Sequence, residues 1–134
     1  KKKIDKIRDN IELKFYNYFK KNNKPILAIC RGYQLIINFN AGTIKKIKNH
    51  VRKSHNLNVI NSNFISLRKI NVNSFHNFGL FNNVNNFKKI AFHKDGSIEI
   101  LEHKTKKILC VMFHPERVMK SKKSILSDMV KFFK

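Results

Sequence analysis

The segment Lys24-Pro25-Ile26-Leu27-Ala28-Ile29-Cys30-Arg31-Gly32-Tyr33-Gln34 constrains the fold of this chain more than any other. Ile26 to Ile29 is an unbroken apolar run, as expected of a parallel strand covered on both faces. Pro25 suits the first position of such a strand, where a missing N–H does least harm. Leu35, Ile36, Ile37 and Phe39 then supply the apolar side of a helix ending near Phe39. Cys30 falls at the junction, with Gly32 two residues on. A strand, a sharp turn carrying a nucleophile and then a helix is the layout of a nucleophile elbow, which presents the side chain at the carboxyl end of a sheet. A nearby glycine lets backbone pack closely. The helix N-terminus is expected to favour the Cys30 thiolate.

A second segment gives the cysteine a chemical context. Ile108 to Phe113 is another fully apolar run, read as a buried strand, and His114-Pro115-Glu116-Arg117 follows it. His114 should therefore also emerge at the end of the sheet. Pro115 biases His114 toward extended backbone, where residues i and i+2 point to the same side, so Glu116 can orient the imidazole. Alone, His-Pro-Glu would read as ordinary polar surface residues, and a lone cysteine as a small buried hydrophobe. Together they have the roles of nucleophile, general base and orienting carboxylate.

The remaining pattern is α/β. Ile4, Ile7, Ile11, Phe15 and Tyr18 or Phe19 recur at helical spacing, predicting a helix from about Ile4 to Lys21 with an apolar side. Asn40-Ala41-Gly42 reads as a helix C-cap and turn, and Thr43 to Ile47 as a short extended piece. Asn49 to Ser54 reads as a polar loop, His55 to Ile60 as a half-exposed strand, and Asn61 to Ser66 as a loop. Ile70-Asn71-Val72 is a short strand leading into Asn73-Ser74-Phe75-His76. Asp95-Gly96 is hairpin chemistry between Phe87–His93 and Ser97–Glu102, with Ile98 and Ile100 on one side and Glu99 on the other. A closing helix from Ser121 carries Ile125, Leu126, Met129, Val130 and Phe133 on one face. No repeat or linker divides residues 1–134, which read as a single domain.

The net charge is +21, so a basic binding module must be weighed. Lys, Asn, Ile and Phe together make 71 of 134 residues, and all four have A/T-rich codons. The lysines are scattered rather than gathered in a stripe, so a biased genome explains the excess without nucleic-acid binding. The positive field would favour an anionic substrate. Cys30 and Cys110 sit in contexts that argue against a disulfide, one at a turn and one inside an apolar strand. A reducing cytoplasm fits, and neither a signal peptide nor a membrane-span-length apolar run appears. No His/Cys cluster at metal-ligand spacing is visible, so neither a metal nor a cofactor is expected. His50, His55, His93 and His103 read as structural or surface residues.

The residues Ile26 to Gln34 together with Phe113-His114-Pro115-Glu116 resemble the class I glutamine amidotransferases, most closely the γ-glutamyl hydrolase branch that includes γ-glutamyl-γ-aminobutyrate hydrolases. Ala41-Gly42-Thr43 is similar to that family's Gly-Gly-Thr, and Val72-Asn73-Ser74-Phe75-His76 to its Val-Asn-Ser-x-His. Asp95-Gly96-Ser97-Ile98-Glu99 is similar to its Asp-Gly-x-Ile-Glu. The Asn-Ser-Phe-His-Asn-Phe wording and the His-Pro-Glu-Arg ending also resemble γ-glutamyl-CDP-amidate hydrolases.

The resemblance implies a flavodoxin-like three-layer sandwich, with a mostly parallel central sheet and an antiparallel extension. It implies a γ-glutamyl thioester on Cys30, with His114 as acid and base and Glu116 orienting it. Arg31 and Gly32 would form the elbow, the Arg31 N–H serving as half of the oxyanion hole. Gln34, Asn73, Ser74, Phe75 and His76 would hold the glutamyl group. Departures from the pattern are Ala28 and Ala41 in place of glycines, and Asn77-Phe78 after His76 in place of His-Gln.

The chain opens on Lys1 rather than Met, and the resemblance implies strands and a Gly-Gly loop ahead of it, carrying the second oxyanion donor. Without them, an exposed sheet edge and a poorly active, unstable fragment are expected. Two alternatives stand beside the hydrolase: a glutaminase subunit feeding ammonia to a synthetase partner, and a non-enzymatic inactive fragment or basic binding module. Homo-oligomerisation is also compatible, and no membrane partner is expected.

Overall fold

The computed structural model describes residues 3–60 and 62–134, so Asn61 of the expected loop lies outside the described residues, and described side chains begin at Asp5. Three helices and eight strands follow in the order α1 (Lys3–Lys21), β1 (Ile26–Ile29), α2 (Arg31–Phe39), β2 (Ile44–Lys46), β3 (Val51–Val59), β4 (Lys69–Phe75), β5 (Phe78–Leu80), β6 (Phe87–His93), β7 (Ile98–His103), β8 (Ile108–Val111) and α3 (Lys122–Phe133). The strands form one sheet in the order β1-β8-β7-β6-β3-β4, with β5 joining β2 to β7. Among the described residues, parallel pairing is confined to β1 and β8, and every other pairing is antiparallel.

β8 is the axis of the core. All four of its residues are buried, and successive side chains enter opposite layers. Leu109, Val111 and the following Phe113 pack with Ile125, Met129 and Phe132 of α3. Ile108, Cys110 and Met112 pack with Tyr33, Ile36 and Ile37 of α2. The apolar run therefore reads as it does because both faces of the strand are covered, each such side chain contributing roughly 1.5–3 kcal/mol.

β1 differs from that expectation. Leu27 is 40% exposed and Ile26 and Ile29 are half-buried. Among the described residues β1 pairs with β8 on one side only. The apolar stripe of α1 is also turned outward: Ile7, Ile11, Phe15 and Tyr18 are exposed, and Tyr16 is buried instead. The inward face of α1 is offset to Asp9, Glu12, Leu13 and Tyr16. It is fastened to the start of α2 by Arg31, which donates to Glu12 at 2.7 Å and to Asp9. A groove of about 490 Å³ between α1 and β1 is lined by Phe15, Phe19, Leu27, Ile29 and Leu35 among others.

The antiparallel half shows three further departures. β3 begins at Val51, inside the expected polar loop, with a register shift between Val51 and Lys53 where Arg52 takes φ 52°. Phe78–Leu80 forms a short strand that its Phe-Gly-Leu sequence does not advertise. Glu99 lies opposite Ile98 and Ile100 as expected, but that face is not solvent, and Glu99 is 1% exposed.

After α2, Ala41 takes φ 59°, a left-handed conformation unfavourable for any residue with a Cβ. Gly42 cannot be replaced: an added Cβ would stand 2.4 Å from Ile37 Cγ2. Ala41 is exposed and free of that crowding. Ala41→Gly is expected to stabilise the chain by about 0.5–1 kcal/mol. The check is a rise in the urea midpoint at unchanged slope; a lower midpoint would contradict the strain assignment.

Candidate active site

Cys30 closes β1 and caps α2 with φ 46° and ψ −96°, a sparsely populated conformation for a non-glycine residue. Its N–H donates to the Val111 carbonyl at 2.8 Å, extending the parallel ladder by one rung, while its carbonyl accepts from the Gln34 N–H at 3.1 Å. One residue thus ends a strand and begins a helix. Gly32 is less constrained than the elbow pattern predicts. A Cβ there would meet Ala28 Cβ at 3.6 Å, an ordinary contact.

His114 leaves the adjacent strand at the same end of the sheet, since Ile29 lies opposite Val111. Its geometry departs from the expected extended segment. The Arg117 N–H donates to the His114 carbonyl at 3.0 Å, closing a β-turn with Pro115 at its second position. The turn still brings the two side chains together, and His114 Nδ1–H donates to Glu116 Oε1 at 2.6 Å. Nε2 is left as the imidazole's free basic nitrogen. Burial pushes the Glu116 carboxyl up, but the His114 contact, a backbone hydrogen bond and Arg117 together hold it below its usual range.

Asn73 holds this turn to β4. Its Nδ2 donates to the His114 carbonyl at 2.8 Å and to the Val118 carbonyl at 3.2 Å, and its Oδ1 accepts the His114 N–H at 2.8 Å. The resemblance gives Asn73 to substrate; in this fold its amide is engaged in placing His114. Two neighbours also have internal partners. Ser74 Oγ donates to the His50 carbonyl at 2.5 Å, and His76 Nδ1 donates to the Phe78 carbonyl at 2.9 Å with its ring buried. Internal partners occupy these side chains because the segment is the inner part of β4 and its continuation. Phe75 does lie at the site: its ring meets His114 edge-on at 5.7 Å, and the Arg117 guanidinium covers it at 4.5 Å. Gln34 is half-buried with Nε2 3.7 Å from Met112 Sδ, a weak contact.

The helix start favours the Cys30 thiolate through the Arg31 backbone N–H, as expected, but burial outweighs it. Burial pushes its thiol up more than the Arg31 backbone N–H and Arg117 bring it down, and the charges of Glu116 and Glu99 raise it further. The Arg31 N–H thus faces the sulfur, where an oxyanion donor is needed, while the Arg31 side chain is turned away to α1. Arg117 is a cation near the thiol that sequence reasoning did not single out; its position directly after His-Pro-Glu was the available signal. Cys110 is buried and unbonded in β8, its thiol raised by burial.

The fold gathers most of the histidines read as structural or surface residues into one place. His50, His55, His76, His93, Asp95 and Glu99 form one cluster in the antiparallel half. Sequence spacing could not show it, because the residues come from β3, β6, β7 and the turns beside them.

The chain matches the family model for Peptidase C26 over residues 1–116 and belongs to that class I glutamine amidotransferase-like family. It is 32% identical over 114 residues to a γ-glutamyl-CDP-amidate hydrolase of Campylobacter jejuni, covering 85% of this chain and 54% of the relative. It is 33% identical over 129 residues to a glutamine amidotransferase-like protein of Lactococcus lactis, covering 84% of this chain and 54% of the relative. The chain therefore spans about half the length of these curated relatives. The crystal structure of a GMP synthase-type protein from Thermoplasma acidophilum superposes with a TM-score of 0.75 at 26% identity, covering 87% of this chain and 61% of that one. A glutamine amidotransferase from Thermotoga maritima superposes at 0.70 with 16% identity, covering 80% and 47%. The flavodoxin-like fold of the class I glutamine amidotransferases is thereby shown. Among the described residues no helix is long and apolar enough to cross a membrane.

Because burial raises the Cys30 thiol, its alkylation by iodoacetamide should climb through the alkaline range, with a midpoint above that of an ordinary thiol of about 8.5. Arg117→Ala should move the midpoint further up, since Arg117 favours the thiolate. A midpoint below that of free cysteine, or one that falls in the variant, would contradict this account.

Proposed function

We propose that this chain carries the cysteine, histidine and carboxylate of a hydrolase acting on γ-glutamyl amide bonds. The observation that carries the reading is Cys30 at a strained strand-to-helix turn, beside a strand whose end presents His114 bonded to Glu116 at 2.6 Å. Cys30 Sγ would attack the γ-carbonyl carbon after its proton passes to His114 Nε2. The carbonyl π-electrons move onto oxygen, against the Arg31 N–H. Collapse of that adduct would expel the amine, which takes its proton from His114, and leave a γ-glutamyl thioester on Cys30. Water, deprotonated by His114, would then release glutamate and return the proton to sulfur. Glu116 keeps Nδ1 protonated and stabilises the imidazolium. A thiol pushed up by burial suits this order, because His114 then takes the proton as attack begins.

Gln34 and Phe75 are the side chains we assign to the glutamyl group, and Arg117 to an anionic part of the substrate. The likeness to the Campylobacter jejuni γ-glutamyl-CDP-amidate hydrolase favours a nucleotide amidate as leaving group. The likeness to GMP synthase proteins supports a second reading, a glutaminase delivering ammonia to a synthetase partner. Glutamine hydrolysis that accelerates only on addition of a synthetase would select that reading; partner-independent release of glutamate from γ-glutamyl amides selects the hydrolase. We place the activity in the cytoplasm, in a glutamine amidotransferase-like domain of which residues 1–134 are part.

In the protein that carries this chain, Cys30→Ala should abolish glutamate release, and Glu116→Gln should lower kcat by roughly 10²–10⁴-fold with KM little changed. Glutamate release measured by a coupled assay is the check, and an alanine variant that keeps its rate would refute the mechanism.

A further inference from the structure

Behind the proposed active site, the antiparallel half of the sheet holds an arrangement that ordinary hydrogen bonding does not explain. Glu99, on β7, is 1% exposed, and its Oε1 lies 2.9 Å from His55 Nε2, 3.4 Å from His50 Nδ1 and 3.4 Å from His76 Nε2. All four of these atoms are buried, yet none makes an aligned hydrogen bond. They come from the loop before β3, from β3, from the residue after β4 and from β7.

The outer nitrogens explain the misalignment. His76 Nδ1 contacts the Phe78 carbonyl at 2.9 Å; a carbonyl can only accept, so Nδ1 carries the proton. His50 Nε2 lies 2.8 Å from Asp95 Oδ2, whose carboxylate likewise accepts, so Nε2 carries the proton there. In the neutral rings His50 Nδ1 and His76 Nε2 are therefore bare lone pairs, both aimed at a carboxylate oxygen. Lone pairs and a carboxylate crowded together repel unless positive charge stands among them.

We propose that His50 Nδ1, His55 Nε2, His76 Nε2 and Glu99 Oε1 are the four ligands of a structural zinc-class divalent cation. Three imidazole nitrogens and one carboxylate oxygen are a donor set for zinc, bound tetrahedrally. At metal–ligand distances of about 2.0–2.1 Å, the ligands of a tetrahedron stand about 3.4 Å apart. The separations from Glu99 Oε1 are 2.9, 3.4 and 3.4 Å, and the four residues each offer a donor atom within 4.8 Å of the others. Asp95 and the Phe78 carbonyl are the outer partners that metal-bound histidines commonly have, fixing tautomer and ring orientation. His93 stacks on His55 with ring centroids 4.3 Å apart and closes one side. A surface cavity of about 380 Å³, lined by His50, His55, His93 and Asp95 among others, gives the ion a way in. Four protein ligands leave no open position, so the ion would tie three separate stretches of the chain together rather than take part in hydrolysis. This proposal does not depend on the function proposed for Cys30.

The experiment is titration of the chelator-treated full chain with cobalt(II) and then zinc. One cobalt(II) per chain should bind with the intense visible absorption of a tetrahedral site, be displaced by zinc, and raise Tm. Glu99→Gln and His55→Ala should each weaken cobalt binding at least roughly 10-fold, with the fold followed by far-UV circular dichroism. Cys30→Ala and His103→Ala should bind as the parent does, separating this site from the thiol. Absence of saturable one-to-one binding in the folded parent chain would overturn the proposal and leave extra protons as what holds the cluster. Binding lost in Cys30→Ala but kept in His55→Ala would overturn it as well.

Discussion

The single rung from the Cys30 N–H to the Val111 carbonyl organises the candidate active site. It locks the end of β1 to the end of β8, so the side chains that follow both strands share one edge of the sheet. β8 can act as the fixed partner because its two faces are buried in separate layers, one under α2 and one under α3. Displacing it would expose apolar surface on both sides at once. The strained backbone at Cys30 persists because the ladder before it and the helix after it both demand that angle.

The segment from Asn73 to His76 connects this edge to the rest of the sheet. Asn73 binds the His114 backbone on both its N–H and C=O sides, Ser74 binds the His50 carbonyl, and His76 reaches Glu99. Glu99 in turn accepts the Met112 N–H through its carbonyl at 2.9 Å, and its charge is felt at the Cys30 thiol. The active-site turn and the histidine cluster are therefore two sides of one wall. Asn73, Ser74 and His76, which resembled part of a substrate-binding motif, help to hold that wall together and are buried in it.

The chain's sequence alone determined the elements whose signal is local. The apolar run of Ile108 to Phe113, the Asp95-Gly96 hairpin, the elbow at Cys30 and the pairing of His114 with Glu116 all follow from period, turn chemistry and short spacing. Tertiary structure decided what local signals do not contain. The helical stripe of α1 identified a helix, but Arg31 drawing Asp9 and Glu12 inward turned that stripe outward. The elbow predicted a ready thiolate, but burial pushes the thiol up more than the helix N-terminus brings it down. The four ligand candidates around Glu99 lie as much as 49 residues apart, between His50 and Glu99, and no spacing rule joins them. Periodicity reports how a residue relates to its own helix or strand; which charges meet, and which side chains lose water, depends on how those elements pack.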